Sequence, residues 1–297
     1  DVCSSDLREQ RWIFGCGYLG SRVANSWNRQ GHEVHVVTRS TTKAEQMNKK
    51  GWVAHVADVK NEETLPQAVH ADRVLMSLGF DRVGPESIHD VYLDGLKNAL
   101  DCFRKPPGSL IYISTTGVYG ASESDWVDES TVCSPSREGG KASLACEDYL
   151  KKQAVGGAVS ILRLAGIYGP DRVPNRASLL AGEAIRGFST GYLNLIHVDD
   201  AVRVVDKMLE FSGQYCLNVS DGHPVLREEY YRCLAQLYGA PNPKFQSPAP
   251  DSPKSQRGAG SKRVSNGALV QLTGFTPLYP SYQAGLSAIV ARQSESV

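Results

Sequence analysis

The residues whose spacing points most directly to chemistry are Gly15-Cys16-Gly17-Tyr18-Leu19-Gly20. They follow the apolar run Trp12-Ile13-Phe14 and precede a helical pattern over residues 21–29. A G-x-G-x-x-G at a strand-to-helix junction binds dinucleotides. Gly15 permits the tight turn, Gly17 lets backbone approach a pyrophosphate, and Gly20 lets helix pack on strand. Tyr18 and Leu19 complete the loop, and the helix N-terminus offers free N–H groups and partial positive charge to the phosphates. About 20 residues on, NAD-specific sites place Asp or Glu on the ribose 2′-hydroxyl. Thr38 and Arg39 stand there instead. A guanidinium pairs bidentately with a 2′-phosphate, so NADP is preferred over NAD. The alternative is that Arg39 only solvates a loop. Asp58, with Val59 after the third strand, either accepts from an adenine amino group or caps the helix that follows. Leu78 and Gly79 end the fourth strand, where backbone passes the ribose.

These groups need a scaffold, and the apolar pattern supplies one. Strands are predicted at residues 12–14, 33–38, 52–56, 73–78, 110–115 and 159–164, mostly as continuous runs typical of buried parallel strands. Helices are predicted between them at 18–29, 42–50, 62–69, 88–103 and 137–153. Repeated β-α-β units imply right-handed crossovers and an α/β fold with a doubly wound parallel sheet of Rossmann type. The NAD(P)-binding domain is expected over 11–170, with the last sheet elements coming from 193–219. Residues 171–297 then form mainly a smaller C-terminal α/β cap that binds substrate. Within it the pattern predicts a strand at 193–197, a helix capped by Asp199-Asp200 and running to 211, and a strand at 215–219. A helix at 226–238, a mobile Pro/Ser/Lys-rich loop at 240–262 and helices at 264–272 and 282–291 follow. Residues 1–10 read as a leader or an artefact and are set outside the fold.

Composition narrows the function class. Thirty-two basic residues balance thirty-two acidic ones across 297 positions, so neither nucleic acid nor an anionic membrane is expected as a partner. No apolar run approaches the ~20 residues of a membrane span. The seven Cys form no C-x-x-C and the seven His no H-x-x-x-H, which points to reduced cytoplasmic thiols and to no metal site. The expected partner is a small-molecule substrate, with a second copy of the chain as the one protein partner considered.

Ile113-Ser114-Thr115-Thr116-Gly117-Val118-Tyr119-Gly120 resembles the extended short-chain dehydrogenases/reductases, the family of sugar-nucleotide epimerases and dehydratases. The resemblance runs on through Leu162-Arg163-Leu164-Ala165-Gly166-Ile167-Tyr168-Gly169-Pro170 and Ile196-His197-Val198-Asp199-Asp200-Ala201. Lys262-Arg263-Val264-Ser265-Asn266 and Tyr279-Pro280-Ser281-Tyr282 look like a poorly characterised bacterial branch. The resemblance implies that Thr115 hydrogen-bonds the substrate oxygen and that Gly166 lies at the cofactor. It also implies a Tyr base four residues before a Lys on the next helix.

Here the chain departs from that pattern. No Y-x-x-x-K occurs; Arg137 stands four residues before Lys141, and aligning on Glu147 instead puts Gly139 and Ser143 in the two places. Arg cannot serve as a base. Tyr119, Lys141 and His197 are the candidate substitutes. Each has a plainer role, as a packing ring, a solvated lysine and a residue that holds the cap together. The implied function is an NAD(P)-dependent oxidoreductase or epimerase-like enzyme with an atypical site, acting on a small polar or nucleotide-linked substrate. The alternative is a non-catalytic, redox-sensing NAD(P)-binding protein.

Overall fold

A computed structural model describes residues 8–80, 87–120, 125–153, 156–247 and 261–294. Its centre is a seven-stranded sheet. The strands in chain order are β1 (Gln10–Phe14), β2 (Glu33–Thr38), β3 (Val53–Val56), β4 (Arg73–Met76), β5 (Ser109–Thr115), β7 (Ala158–Leu164) and β12 (Gln214–Val219), with β6 (Trp126–Val127) lying outside it. Their order across the sheet is β12-β7-β5-β4-β1-β2-β3. The pairs β1–β2, β2–β3, β1–β4 and β4–β5 are all parallel. The order reverses between β1 and β4, and open α/β sheets bind ligands beyond the strand ends at such a reversal.

Local sequence explains the elements. Trp12, Ile13 and Phe14 are buried in succession because both faces of a central parallel strand are covered. Helix α1 (Gly20–Arg29) buries Val23, Ala24 and Trp27 along one face. The Trp27 indole N–H and the Ser26 hydroxyl both donate to Asp206, each at 2.8 Å, so the buried indole keeps a hydrogen-bond partner. Helix α2 (Thr41–Asn48) starts at Ser40, whose side chain accepts from the Lys43 N–H. Helices α3 (Gly95–Asp101) and α4 (Glu138–Lys152) follow.

The chain divides into two compact units. The first comprises residues 1–114, 141–162 and 202–216, and its core runs from Trp12 and Phe14 through Leu96 and Tyr112 to Leu150 and Ile161. The second comprises residues 115–140, 163–201 and 217–297. Its core gathers Tyr168, Leu179, Leu195, Tyr230, Leu234 and Leu286. It contains the short strands β8 (Gly166–Tyr168), β9 (Ile185–Arg186), β10 (Tyr192–Leu193), β11 (Leu195–His197), β13 (Val225–Leu226), β14 (Phe245–Gln246) and β15 (Arg263–Val264). Its helices are α5 (Arg176–Leu180), α7 (Arg227–Tyr238), α8 (Gly267–Thr273) and α9 (Tyr282–Ser294), and α6 (Val198–Met208) starts in it.

Several expectations are corrected. The helix expected over 62–69 is only a 3-10 turn, Glu62–Thr64, because Pro66 forces Leu65 into extended backbone (ψ 144°). The helix expected over 88–103 opens as a π-helix, Asp90–Asp94, before α3. The strand expected over 193–197 splits at Asn194, since β10 pairs with β13 and β11 with β8. Asp199 and Asp200 lie inside the first turn of α6 rather than capping it, and the Asp200 carboxylate accepts the N–H groups of Leu278 and Tyr279. Residues 264–272 are β15 followed by α8, not one helix. In the loop expected over 240–262, Phe245–Gln246 pairs with Ile185–Arg186, while 248–260 lie outside the described residues. Gln10, set outside the fold from the sequence, opens β1.

Asp221 gives the second unit a pH dependence. It is 4% exposed; Oδ1 accepts the His223 N–H, and Oδ2 has no hydrogen-bond partner among the described residues. Burial pushes its pKa up to about 7. The folded pKa lies above the unfolded value of about 3.9, so the folded state binds more protons, and stability falls as pH rises from about 4 through about 7. Asp221→Asn keeps the Oδ1 acceptor and removes the charge. It should raise the melting temperature at pH 8 and change it little at pH 4, in parallel thermal melts. An equal effect at both pH values would contradict the assignment.

Candidate functional site

In the first unit a pocket opens at the C-terminal ends of β1, β2 and β4. Gly15, Cys16 and Gly17 line it together with Thr38, Arg39, Lys43, Asp58, Val59, Leu78 and Gly79. The three glycines have three different environments. Gly15 has φ +93°, and a Cβ there would sit 2.3 Å from the Ser77 carbonyl oxygen. A Cβ on Gly20 would sit 2.4 Å from the Gly15 carbonyl oxygen, so α1 packs directly onto the turn. A Cβ on Gly17 would meet nothing within 4 Å. Gly15 and Gly20 are therefore glycines for the protein's sake, and Gly17 leaves open space on the pocket side. The Ser77 hydroxyl locks the turn by donating to the Gly15 carbonyl at 2.7 Å. The first turn of α1 holds no acidic residue, so nothing there opposes an anion. Tyr18 packs its ring under the Arg22 guanidinium (4.0 Å), and Leu19 is buried.

At the end of β2, Arg39 is exposed and Lys43 follows one helical turn later. Lys43 was missed in the sequence, although its i, i+4 spacing from Arg39 on a strand-to-helix turn was a readable signal. Asp58 is not the cap of the following turn, because Asn61 performs that role by accepting from Glu63. Its Oδ1 accepts from the Lys60 N–H instead. The Asn98 amide donates to the Val59 carbonyl at 2.9 Å and so fixes that wall. Burial pushes the Cys16 thiol up to about 12, so it is not a thiolate nucleophile at neutral pH. The glycine turn, the acid-free helix end and the two cations form a donor set that fits a dinucleotide. The described residues contain no group of three metal-ligating side chains.

In the second unit Thr115 ends β5 and caps a 3-10 turn, Thr116–Tyr119. Its Oγ1 accepts the Gly117 N–H at 3.1 Å, which leaves its own proton to donate. Tyr119, the candidate base on the same turn, lies in the interior of the second unit. It is 4% exposed, donates to Asn218 Oδ1 at 2.8 Å and accepts from Arg163 at 2.9 Å. Burial pushes its pKa up to about 12. These contacts tie the ring to Asn218 and Arg163 inside the second unit.

The remaining candidates are placed elsewhere. Lys141 is exposed in the first turns of α4 and belongs to the first unit. Glu147 is fully buried and accepts from Ser114 at 2.6 Å and from Lys151 at 3.4 Å. The Ser143 hydroxyl is buried at the Tyr112 phenol. Gly140 has no room for a side chain, since a Cβ would lie 2.8 Å from the Gly117 carbonyl oxygen. His197 is 1% exposed, accepts the Asp199 N–H and stacks on Tyr279 at 3.9 Å, so it holds the second unit together. Gly166 lies in β8 of the second unit, paired with Leu195, and does not line the first unit's pocket.

Comparison with known proteins agrees with this architecture. Protein YeeZ of Escherichia coli K12 is 29% identical over 278 residues, covering 90% of this chain and 95% of that protein. A functionally unknown conserved protein of Silicibacter pomeroyi DSS superposes with a TM-score of 0.77 at 26% identity, covering 96% of this chain and 99% of that one. The UDP-glucose 4-epimerase of Thermus thermophilus, solved in complex with NAD, shares the fold. Its TM-score is 0.78 at 21% identity, over 97% of this chain and all of that one. The glycine turn at the strand-order reversal and Thr115 at the end of β5 both lie within residues 13–218, the span that matches an established sequence family. The chain belongs to the NAD dependent epimerase/dehydratase family.

Proposed function

We propose that the protein is an NAD(P)-dependent oxidoreductase or epimerase-like enzyme whose first unit holds the dinucleotide and whose second unit takes a small polar, nucleotide-linked substrate. The observation that carries this is the glycine turn at the strand-order reversal. Protein atoms crowd Gly15 and Gly20 but leave Gly17 open toward the pocket. The pyrophosphate would lie against Gly17 and the N-terminus of α1, the adenosine against Thr38, Arg39 and Asp58, and the ribose against Leu78 and Gly79. When bound, the nicotinamide supplies a hydride donor or acceptor. Thr115 would donate a hydrogen bond from its hydroxyl to the substrate oxygen and stabilise charge developing there, keeping its own proton. Tyr119 does not take the proton, because its phenol is buried and doubly hydrogen-bonded. The family name and the NAD complex of the Thermus thermophilus enzyme support a nicotinamide cofactor. Free thiols at the six described cysteines suit a cytoplasmic setting.

Arg39 and Lys43 both line the pocket, and the stretch 38–44 after β2 supplies no Asp or Glu for a ribose 2′-hydroxyl, which favours NADP over NAD. Arg39→Ala should weaken NADPH binding by ~1–3 kcal/mol, the scale of a charge-assisted hydrogen bond. NADH binding should change little. Calorimetric titration with both cofactors decides the point, since equal losses would mean that Arg39 does not read the 2′-phosphate.

A further inference from the structure

Lys262 takes no part in the dinucleotide pocket, yet the fold fixes it firmly. β15 pairs in parallel with β6, and the Arg263 N–H donates to the Asp125 carbonyl at 2.8 Å. Asn194 clamps the backbone on both sides, donating to the Lys262 carbonyl at 3.0 Å and accepting from the Val264 N–H at 2.7 Å. The Lys262 ammonium reaches Gly120, whose carbonyl accepts from Nζ at 2.7 Å. That satisfies one of its three donors. Arg137 approaches the same turn. A Cβ placed on Gly117 would lie 3.7 Å from the Arg137 guanidinium and 3.3 Å from Thr115 Oγ1. Two cations thus flank the turn that presents the Thr115 hydroxyl, and among the described residues neither has a carboxylate partner. From the elements around Lys262, the charged group that acts on it is Arg137, while the turn and Asn194 contribute neutral groups. Burial, and then Arg137, push the Lys262 pKa down to about 8. A part-buried ammonium beside a second, exposed cation is short of a counter-charge.

We propose that Lys262 and Arg137 bind an oxyanion of the substrate, so that the substrate is a hydroxy or keto compound carrying a carboxylate or phosphate close to its reacting oxygen. The proposal rests on the reading of the second unit as the substrate-binding part. The anion supplies the missing counter-charge, and Thr115 meets the neighbouring oxygen. Binding must raise the Lys262 pKa, so near pH 8 the complex takes up as much as about half a proton.

Calorimetry on the full chain tests this with two probes, inorganic phosphate and succinate. Each is titrated into wild type, Lys262→Met, Lys262→Arg and Arg137→Gln at pH 8, in two buffers of different ionisation enthalpy. At least one probe should bind wild type, and Lys262→Met and Arg137→Gln should each weaken that binding tenfold or more. Lys262→Arg should keep the binding and lose the proton uptake. Phosphate alone binding indicates a phosphorylated substrate, and succinate alone a carboxylate. Failure of both probes to bind wild type, or binding that is unaffected by Lys262→Met and Arg137→Gln, overturns the proposal. Phosphate held only at the glycine turn would show the second pattern. NADPH titrated in parallel separates the two readings. Lost NADPH binding with anion binding intact overturns the cofactor assignment alone, and the reverse overturns the anion site alone.

Discussion

Gly17→Val should abolish NADPH binding while leaving the fold intact. A Cβ at this position meets no protein atom within 4 Å, so the side chain costs the apoprotein little. It instead fills space that a pyrophosphate must occupy. The expected loss in affinity is at least ~100-fold, since the closest approach of backbone to phosphate is blocked, at ~1.4 kcal/mol per tenfold. Gly15→Ala should behave in the opposite way. Its φ of +93° and the 2.3 Å approach to Ser77 set strain and overlap in the protein itself. Strained backbone costs ~1–3 kcal/mol, and overpacking adds ~1–3 kcal/mol. Gly15→Ala should therefore lower the melting temperature by several degrees before any cofactor is added. Thermal melts with and without NADPH read both effects. A folded Gly17→Val variant with wild-type affinity would remove the dinucleotide from this pocket.

Thr115→Ala should cut turnover by ~10²–10⁴-fold, the usual worth of a general acid or polarising contact. Cofactor affinity should stay unchanged, because Thr115 lies in the second unit and is absent from the lining of the glycine pocket. The hydroxyl also caps the Thr116–Tyr119 turn through the Gly117 N–H. Thr115→Ser is therefore the control: it keeps both the cap and the donor and should recover most of the activity. Turnover that survives in Thr115→Ala would reject the assignment even in a working enzyme.

The parallel sheet was legible because its strands are continuous apolar runs, and 33–38 matches β2 residue for residue. The glycine turn was legible because the strand-to-helix junction leaves no room for a side chain at Gly15 and Gly20. The second unit was less so. Its strands are two or three residues long, too short to show a period, and Asn194 hides the switch between β10 and β11 by hydrogen bonds that no spacing reveals. Over 62–69 the helical pattern does not survive Pro66, which holds Leu65 extended. Asp200 looked like a helix cap because acidic residues favour helix starts, whereas it clamps the backbone of Leu278 and Tyr279 far along the chain. Lys262 was legible only as the first residue of the 262–266 motif and not for its role, because its neighbours Gly120 and Arg137 are brought to it only by the fold.

Whether the protein turns over an anionic substrate is open to a single assay. Wild-type protein would be mixed with NADP or NADPH and a panel of hydroxy and keto compounds, with and without carboxylate or phosphate groups, while reduced-nicotinamide absorbance is followed. Absorbance should change with an anionic member of the panel, and should not change with its neutral counterpart. Discriminating binding of oxidised and reduced cofactor, with no absorbance change and no isomerised product for any compound, would contradict the enzyme reading and would describe a redox-sensing protein instead.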